Sequence, residues 1–312
     1  MTSREMGKIR GAEAVLKEAG FTVSSRVRSR PSCFDVAARR DKSLIFVKVQ
    51  SDIGNISACD SLELRIISQS VSAASLFISE KTREKPLEED TVYSRYNVFA
   101  VTPKTFENII LKKINPLVQA GPGGYYVEID GEAIKRRRNE LGLSIGEIAE
   151  KIGISRRTLY GYERGLAKAS VASAYNLLSI LGVPIAKPVD IFEAQKSGGK
   201  RFKTAGRIIT RSRLLRKIFK KLKGFNLVAV RRAPFDFVIT VPEEELKVIG
   251  GVAEEEEHKL ERRVDEILSL SKVVQAHPVL VTENQKNVDK EISCISTDEL
   301  SKIKSPEDLC RI

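Results

Sequence analysis

Two apolar periodicities alternate along this chain, one of about 3.6 residues and one of two. The sharpest example of the first is "LGLSIGEIAEKIGISRRTLYGYERG", residues 141–165. Ile148, Ala149 and Ile152 fall on one helical face. Ser144 followed three residues later by Glu147 is a capping-box opening. Gly153 ends that helix, where a left-handed backbone costs glycine least. Ser155 can cap a second helix, in which Leu159 and Tyr162 face inward and which Gly165 stops. The pattern predicts two short helices joined by a turn of three or four residues, a helix-turn-helix at about 143–164. Arg156, Arg157, Tyr160 and Arg164 are left on its outer face. A helix is predicted on either side. In "EAIKRRRNELG", Ile134 and Leu141 are expected inward and Lys135 to Arg138 outward; in "SVASAYNLLSILGVP", Leu177, Leu178 and Leu181 are expected inward.

The two-residue alternation dominates the flanks, and it repeats. "GFTVSSRVRSRPSCFDVAARR" from Gly20 has its counterpart in "GFNLVAVRRAPFDFVIT" from Gly224. "LFISE" from Leu76 answers "VLVTE" from Val279, and "VFAVTPKTFENI" from Val98 answers "ISCISTDELSKI" from Ile292. The order is the same and the offset stays near two hundred residues. Residues 1–120 and 207–312 are therefore read as two copies of one α/β unit. Each copy is helix, three strands, helix, two strands, helix, and an all-α domain at 131–188 separates them. In the first copy "SLIFVKVQ" is the third strand and "SLELRIISQSVSAA" the middle helix; in the second these are "ELKVIGGV" and "HKLERRVDEILSLS".

Composition changes this picture in three places. No run approaches eighteen apolar residues, so no membrane span is expected. The N-terminus reads as an amphipathic helix rather than a signal segment, so a cytoplasmic location is expected. Cys33, Cys59, Cys294 and Cys310 form no CxxC pair, and His258 and His277 are the only histidines of the sequence. No disulfide framework, metal site or cofactor is expected from them. Net charge is +12, and it is concentrated: Lys196 to Arg232 holds fourteen Lys and Arg with no acid. This stretch begins as a basic, glycine-containing linker at 189–206. It becomes an amphipathic helix with Leu215, Ile218, Phe219 and Leu222 as its stripe and Lys217, Lys220, Lys221 and Lys223 outward. Such a helix can lie on a membrane. The repeat assigns the stripe to a protein core instead, which leaves the lysines for phosphate contact.

"RRRNELGLSIGEIAEKIGISRRTLYGYERG", with its "YERG" ending, resembles the DNA-binding domain of the Cro and lambda-repressor class over residues 131–188. Small Ala149, turn Gly153 and apolar Ile148 and Leu159 fall where that class has them. The resemblance implies that residues 155–163 form a reading helix that enters the major groove of double-stranded DNA at its N-terminal end. Arg156 or Arg157 could then fork onto guanine O6 and N7. Ser155, Thr158 and Tyr160 could donate to phosphate or base edges. Arg164 joins this outer face. Ser144 sits where the preceding helix points its amides at the backbone. Lys135 and Arg136, with Lys217, Lys220 and Lys221, are auxiliary phosphate candidates.

The flanking units resemble restriction-endonuclease-like nucleases. That family needs an Asp opening one strand and an acidic-x-Lys on the next, so that paired carboxylates hold a divalent metal and the lysine orients water or phosphate. Asp35 and Lys48 match, but Phe46 stands two positions before Lys48. The second copy keeps Asp236 and has Ile249, Gly250 and Gly251 on the corresponding strand. Neither copy supplies the paired carboxylates that magnesium needs, and Asp52, Asp60 and Glu63 lie off the strand spacing. Asp35 and Asp236 are read as acids that hydrogen-bond backbone amides, and no catalytic residue and no enzyme activity are expected. The whole arrangement resembles a family of archaeal HTH-type transcriptional regulators, which implies DNA binding and regulation of transcription. The leading expectation is a sequence-specific regulator. The alternatives are a nuclease targeted by its helix-turn-helix, or a scaffold that binds nucleic acid without sequence preference. A lone reading helix covers only a half-site, so a homodimer joined through the α/β units is expected. The competing arrangement packs the two copies on each other within one chain.

Overall fold

The computed structural model describes residues 3–83, 85–192, 212–222, 225–241, 245–253, 259–283, 291–303 and 305–310. The first unit opens with α1 (Ser3–Glu18), β1 (Thr22–Val23), β2 (Val36–Arg40) and β3 (Ser43–Val49). It continues through α2 (Ala58–Ser70) and β4 (Ala74–Ile78) to a small hairpin, β5 (Lys81–Thr82) and β6 (Lys85–Pro86). β7 (Thr91–Arg95), β8 (Val98–Val101) and α3 (Pro103–Lys112) complete it. The sheet runs β1-β2-β3-β4-β8, antiparallel up to β3 and parallel from β3 to β8. Strands in its centre are buried on both faces, as parallel strands with helices on either side must be. On β3, Ile45 and Val47 face a core with Ile9 and Leu16 of α1 and Phe106 and Ile110 of α3. Leu44 and Phe46 face the other side, with Leu64 and Ile67 of α2.

Next come β9 (Val118–Gly121) and β10 (Gly124–Ile129), then α4 (Gly131–Glu140), α5 (Ile145–Ile152) and α6 (Arg156–Glu163). β11 (Ala169–Ser170), α7 (Val171–Leu181) and β12 (Ala186–Lys187) follow. The β9–β10 hairpin lies across the end of the first unit as read from the sequence, and it joins two bodies. β9 pairs in parallel with β7 of the first unit, and β10 pairs with both β11 and β12. Val127 and Ile129 of β10 enter the helical core beside Ile134, Ile148, Leu159 and Leu177. The sheet therefore continues from the first unit into the helical domain.

The second unit runs α8 (Arg213–Lys221), β13 (Asn226–Ala229), β14 (Phe237–Val241), β15 (Leu246–Ala253), α9 (Leu260–Val274), β16 (His277–Thr282), β17 (Ser293–Ser296) and α10 (Thr297–Lys302). Its sheet order β13-β14-β15-β16-β17 is antiparallel, antiparallel, parallel, parallel. This repeats the first unit strand for strand, and individual bonds recur. Val27 N donates to Asp35 O at 3.0 Å, and Val230 N to Asp236 O at 2.8 Å. On α8 the predicted stripe is inward: Leu215, Ile218 and Leu222 are buried with Leu214, and Phe219 packs against them. Lys217, Lys220 and Lys221 are exposed. Lys223, His258 and the basic stretch from 193 to 211, with the 206/207 boundary inside it, lie outside the described residues.

The two copies pack on each other within the chain. One continuous core holds Phe34, Phe46 and Leu64 of the first with Phe235, Ile249 and Ile267 of the second. Phe34 and Phe235, equivalent in the repeat, meet with ring centroids 6.4 Å apart. The polar contacts are reciprocal as well. Glu63 on α2 accepts from the backbone N–H groups of Arg231 and Arg232 at 2.9 and 2.8 Å. Glu266 on α9 accepts from Arg28 N and Ser29 N at 2.8 and 3.0 Å. The competing arrangement weighed from the sequence is thus present: the α/β contact expected between chains forms inside one.

Two inward assignments need correction. Leu141 is 40% exposed, because it caps α4 beyond the last helical turn. Leu178 is 43% exposed, because α7 turns Ala174, Leu177 and Leu181 inward and leaves its neighbour to the side.

Candidate nucleic-acid interface

Local signals build the helix pair. Ser144 Oγ accepts from Glu147 N at 3.2 Å, while Glu147 Oε2 accepts from Ser144 N at 2.7 Å. The bond from the Ser144 backbone holds the Glu147 carboxyl below its usual range. Gly153 ends α5 at φ 72°, and Ser155 caps α6 by accepting from Thr158 N at 3.0 Å. Behind the pair, Ile148, Ala149, Ile152, Leu159 and Tyr162 are buried. At Gly131 a Cβ would lie 2.3 Å from Glu163 O, so the start of α4 can approach the end of α6 only as glycine.

A buried ion pair locks the same junction. Arg138 Nε donates to Glu163 Oε1 at 2.6 Å and Nη2 to Oε2 at 3.2 Å, while Nη1 donates to Leu143 O at 3.0 Å. Arg137 Nε donates to Leu181 O at the end of α7, at 2.9 Å. These two arginines, expected outward, are spent on the domain's own frame. A bidentate guanidinium–carboxylate pair fixes orientation as well as distance.

The outer face of α6 carries the reading candidates. Ser155, Arg156, Arg157, Tyr160 and Arg164 are exposed and Thr158 is half-buried. Arg157 has no side-chain partner among the described residues. Arg156 lies across α5, where a Cβ on Gly146 would come within 2.9 Å of its Nε. Sequence reasoning passed over Gly146; a glycine in the first turn of a helix, where its conformation gives no benefit, was the available signal. Tyr160 and Arg164 form one unit, with Arg164 Nη1 donating to the phenol oxygen at 2.8 Å and its guanidinium over the ring. Ser144 and Ser155 accept backbone N–H groups as caps. Ser155 Oγ also lies 2.8 Å from Thr158 Oγ1. Lys135 and Arg136 are exposed on α4 of the same domain. Lys217, Lys220 and Lys221 belong to the second α/β unit, which packs α8 on its own sheet and on α10.

The nuclease-like strands do not fit a divalent metal. Asp35 Oδ1 accepts from Lys48 Nζ at 3.0 Å, and Oδ2 from Val49 N at 2.7 Å. Asp236 Oδ2 accepts from Val252 N at 2.6 Å and from Arg263, and Oδ1 accepts from Arg30 of the first unit at 2.7 Å. Both carboxylates are used by a strand amide and cations, and Phe46 and Ile249 are buried where a second carboxylate would be needed. Arg263, fully buried, stands in for the lysine that Gly251 replaces. Among the described residues no group of three or more His, Cys, Asp or Glu could hold a metal, and no helix is long and apolar enough to cross a membrane.

Comparison with known proteins agrees with both halves of this geometry. Residues 7–116 match the PD-(D/E)XK superfamily domain, and residues 134–187 match the Helix-turn-helix family. Relatives matched over nearly their whole length are named "Putative HTH-type transcriptional regulatory protein". One from Pyrococcus furiosus is 31% identical over 96% of this chain and 94% of its own. One from Thermococcus kodakarensis is 30% identical over 97% and 94%. One from Methanococcus vannielii is 33% identical over 95% and 93%. With a helix-turn-helix domain continuous with a PD-(D/E)XK fold, and relatives matched from end to end, the chain belongs to this archaeal family of HTH-type transcriptional regulatory proteins.

Proposed function

We propose that the chain is a sequence-specific, double-stranded-DNA-binding transcriptional regulator without catalytic activity, in which two nuclease-like units form a scaffold around the reading domain. The observation that carries this reading is the outer face of α6. Arg157 is exposed without a partner, and its helix is fixed by two side-chain caps and the Arg138–Glu163 pair. A chain that only held phosphate would not need a reading helix oriented this firmly. Arg157→Ala is expected to cost about 1–3 kcal/mol on the preferred duplex and to relax base preference. Lys135→Ala is expected to weaken preferred and scrambled duplexes alike and to reduce the salt slope by about one. Binding to both duplexes across a salt series reads the two effects. Full site preference in Arg157→Ala would remove α6 from sequence reading.

The PD-(D/E)XK match keeps a DNA-processing nuclease as the second reading. The committed carboxylates of Asp35 and Asp236 argue against it. With magnesium or manganese, purified protein should leave duplex, nicked and branched DNA intact. Cleavage abolished by Asp35→Asn and Lys48→Ala would promote the nuclease reading instead.

A homodimer remains part of the proposal, with its contact moved. The α/β seam is already used within the chain, whereas the reading domain exposes Leu166 (75%), Tyr175 (68%), Val171 and Leu178. Val171, Tyr175 and Leu178 lie at i, i+4 and i+7 of α7, one stripe of a helix. Light scattering with and without a palindromic duplex tests it: Tyr175→Glu should halve the protein mass in the particle. A protein mass of 34.7 kDa per particle in both conditions would remove the homodimer from the proposal.

A further inference from the structure

A cleft of about 540 Å³ opens at the seam between the two α/β units, away from the reading helix. One wall is α1, another is the segment after β1, and the third is α9 of the second unit. Five cations line it: Arg10, Lys17, Arg26, Arg28 and Arg262. Three carboxylates share the lining: Glu13, Asp265 and Glu266. Glu13 grips Arg26 through Nε and Nη2, the latter at 2.9 Å. Glu266 accepts the backbone N–H groups of Arg28 and Ser29. The side chains of Arg10, Lys17, Arg28 and Arg262 have no carboxylate partner among the described residues. Arg26 is fixed in place by Glu13, yet its Nη1 is enclosed and makes no hydrogen bond.

We propose that this cleft binds a small, multiply charged phosphorylated metabolite and thereby joins the two α/β units. Guanidinium groups match phosphate with paired N–H donors, and four converge here from both units. The volume falls within the ordinary range of about 300–1,000 Å³ for small-molecule sites, which favour boundaries between packed bodies. The lining contains no aromatic side chain, so it offers no surface on which nucleobases could stack. That disfavours single-stranded nucleic acid and favours a polar, phosphate-bearing ligand. The ligand would contact Arg10 on α1 and Arg262 on α9 together, so its binding energy would add to the stability of the seam.

The probe is inorganic pyrophosphate on the full chain, with sodium chloride at matched ionic strength as the reference. Pyrophosphate should raise the melting temperature above the chloride reference and bind with measurable heat by calorimetry. Arg10→Gln and Arg262→Gln, on opposite walls and both exposed, should each weaken that binding at least tenfold. Lys112→Gln, an exposed lysine on α3 that does not line the cleft, should leave it unchanged. The proposal is overturned if pyrophosphate does no more than chloride, or if Lys112→Gln loses as much as the two cleft variants. It is also overturned if Arg262→Gln leaves pyrophosphate binding intact and instead weakens duplex DNA binding, since the cleft would then be a contact for the DNA backbone. None of these readings depends on α6, so failure here and failure of the DNA-reading proposal are separable.

Discussion

Gly146 and Arg156 occupy one space. The glycine gives the arginine stem room across the N-terminal turn of α5, at the mouth of the reading face. Its backbone is helical, so alanine there suits the helix better by about 1 kcal/mol, and the atom it meets is the movable end of a side chain. Gly146→Ala should therefore leave the melting temperature level or slightly higher and yet change which duplexes are preferred, as Arg156→Ala should. A variant that melts normally and keeps wild-type preference would mean that the position of Arg156 is immaterial to reading. Arg138 sits at the same scale and teaches the opposite lesson about legibility. In "KRRRNE" it looks like one more solvated charge, because its partner Glu163 is twenty-five residues away. Ser144 and Glu147 were legible because capping is settled within three residues. Side chains whose partners lie on another helix are not announced by their neighbours.

Among the elements, the helices of the reading domain were legible and the hairpin before them was not. Strands β9 and β10 are short, and their pairing depends on β7, some twenty-seven residues upstream. "VQAGPGGYYVEID" shows a glycine-rich turn but no clear alternation. The repeat, by contrast, could be read because several matched segments, in the same order, supported one another at an offset near two hundred residues. The hairpin is part of the domain's stability. Val127 and Ile129 are buried in its core, and Val189 N donates to Pro116 O at 2.7 Å across the base. Burying an aliphatic side chain contributes about 1.5–3 kcal/mol, so a fragment of residues 131–188 should be much less stable than one of 116–190. Circular dichroism melts compare them directly, and equal midpoints would show that β10 is dispensable. The faces of α7 were misread for a related reason. Leu177, Leu178 and Leu181 are equally apolar, and only the partner surfaces decide which of them turns inward.

For the whole molecule, the seam is the decisive contact. Glu63 and Glu266 are both buried and each holds two backbone N–H groups of the opposite copy. At Glu266 both oxygens accept, so an amide turns one acceptor into a donor facing donors. At Glu63 both bonds go to Oε2, so glutamine can keep that acceptor but loses the charge that strengthens it. Glu63→Gln or Glu266→Gln should therefore cost about 1–3 kcal/mol. Cys33 reports on this without any change to the seam. It is buried there, its N–H donates to Arg232 O at 2.8 Å, and burial pushes its thiol pKa well up. Cys59 is exposed. A thiol reagent should modify Cys59 at once and Cys33 only as the seam opens, faster in Glu266→Gln than in wild type. Equal rates at Cys33 in both proteins would mean that Glu266 does not hold the units together.

The seam also sets a problem of timing. Arg28 and Glu266 are 238 residues apart in the chain, so the contact is of very long range and is expected to form late. The reading domain, built from local helices, lies between the two halves and can fold first. During synthesis at about 5–20 residues per second, the first unit waits roughly 10–40 seconds for α9 to emerge. Through that interval Phe34, Phe46 and Leu64 have no covering from the second copy. The first unit of a neighbouring nascent chain presents the same fold in place of that copy. Mispairing between chains on one polysome is thus the failure that this duplication invites, and covering that face early is what a chaperone would do for it.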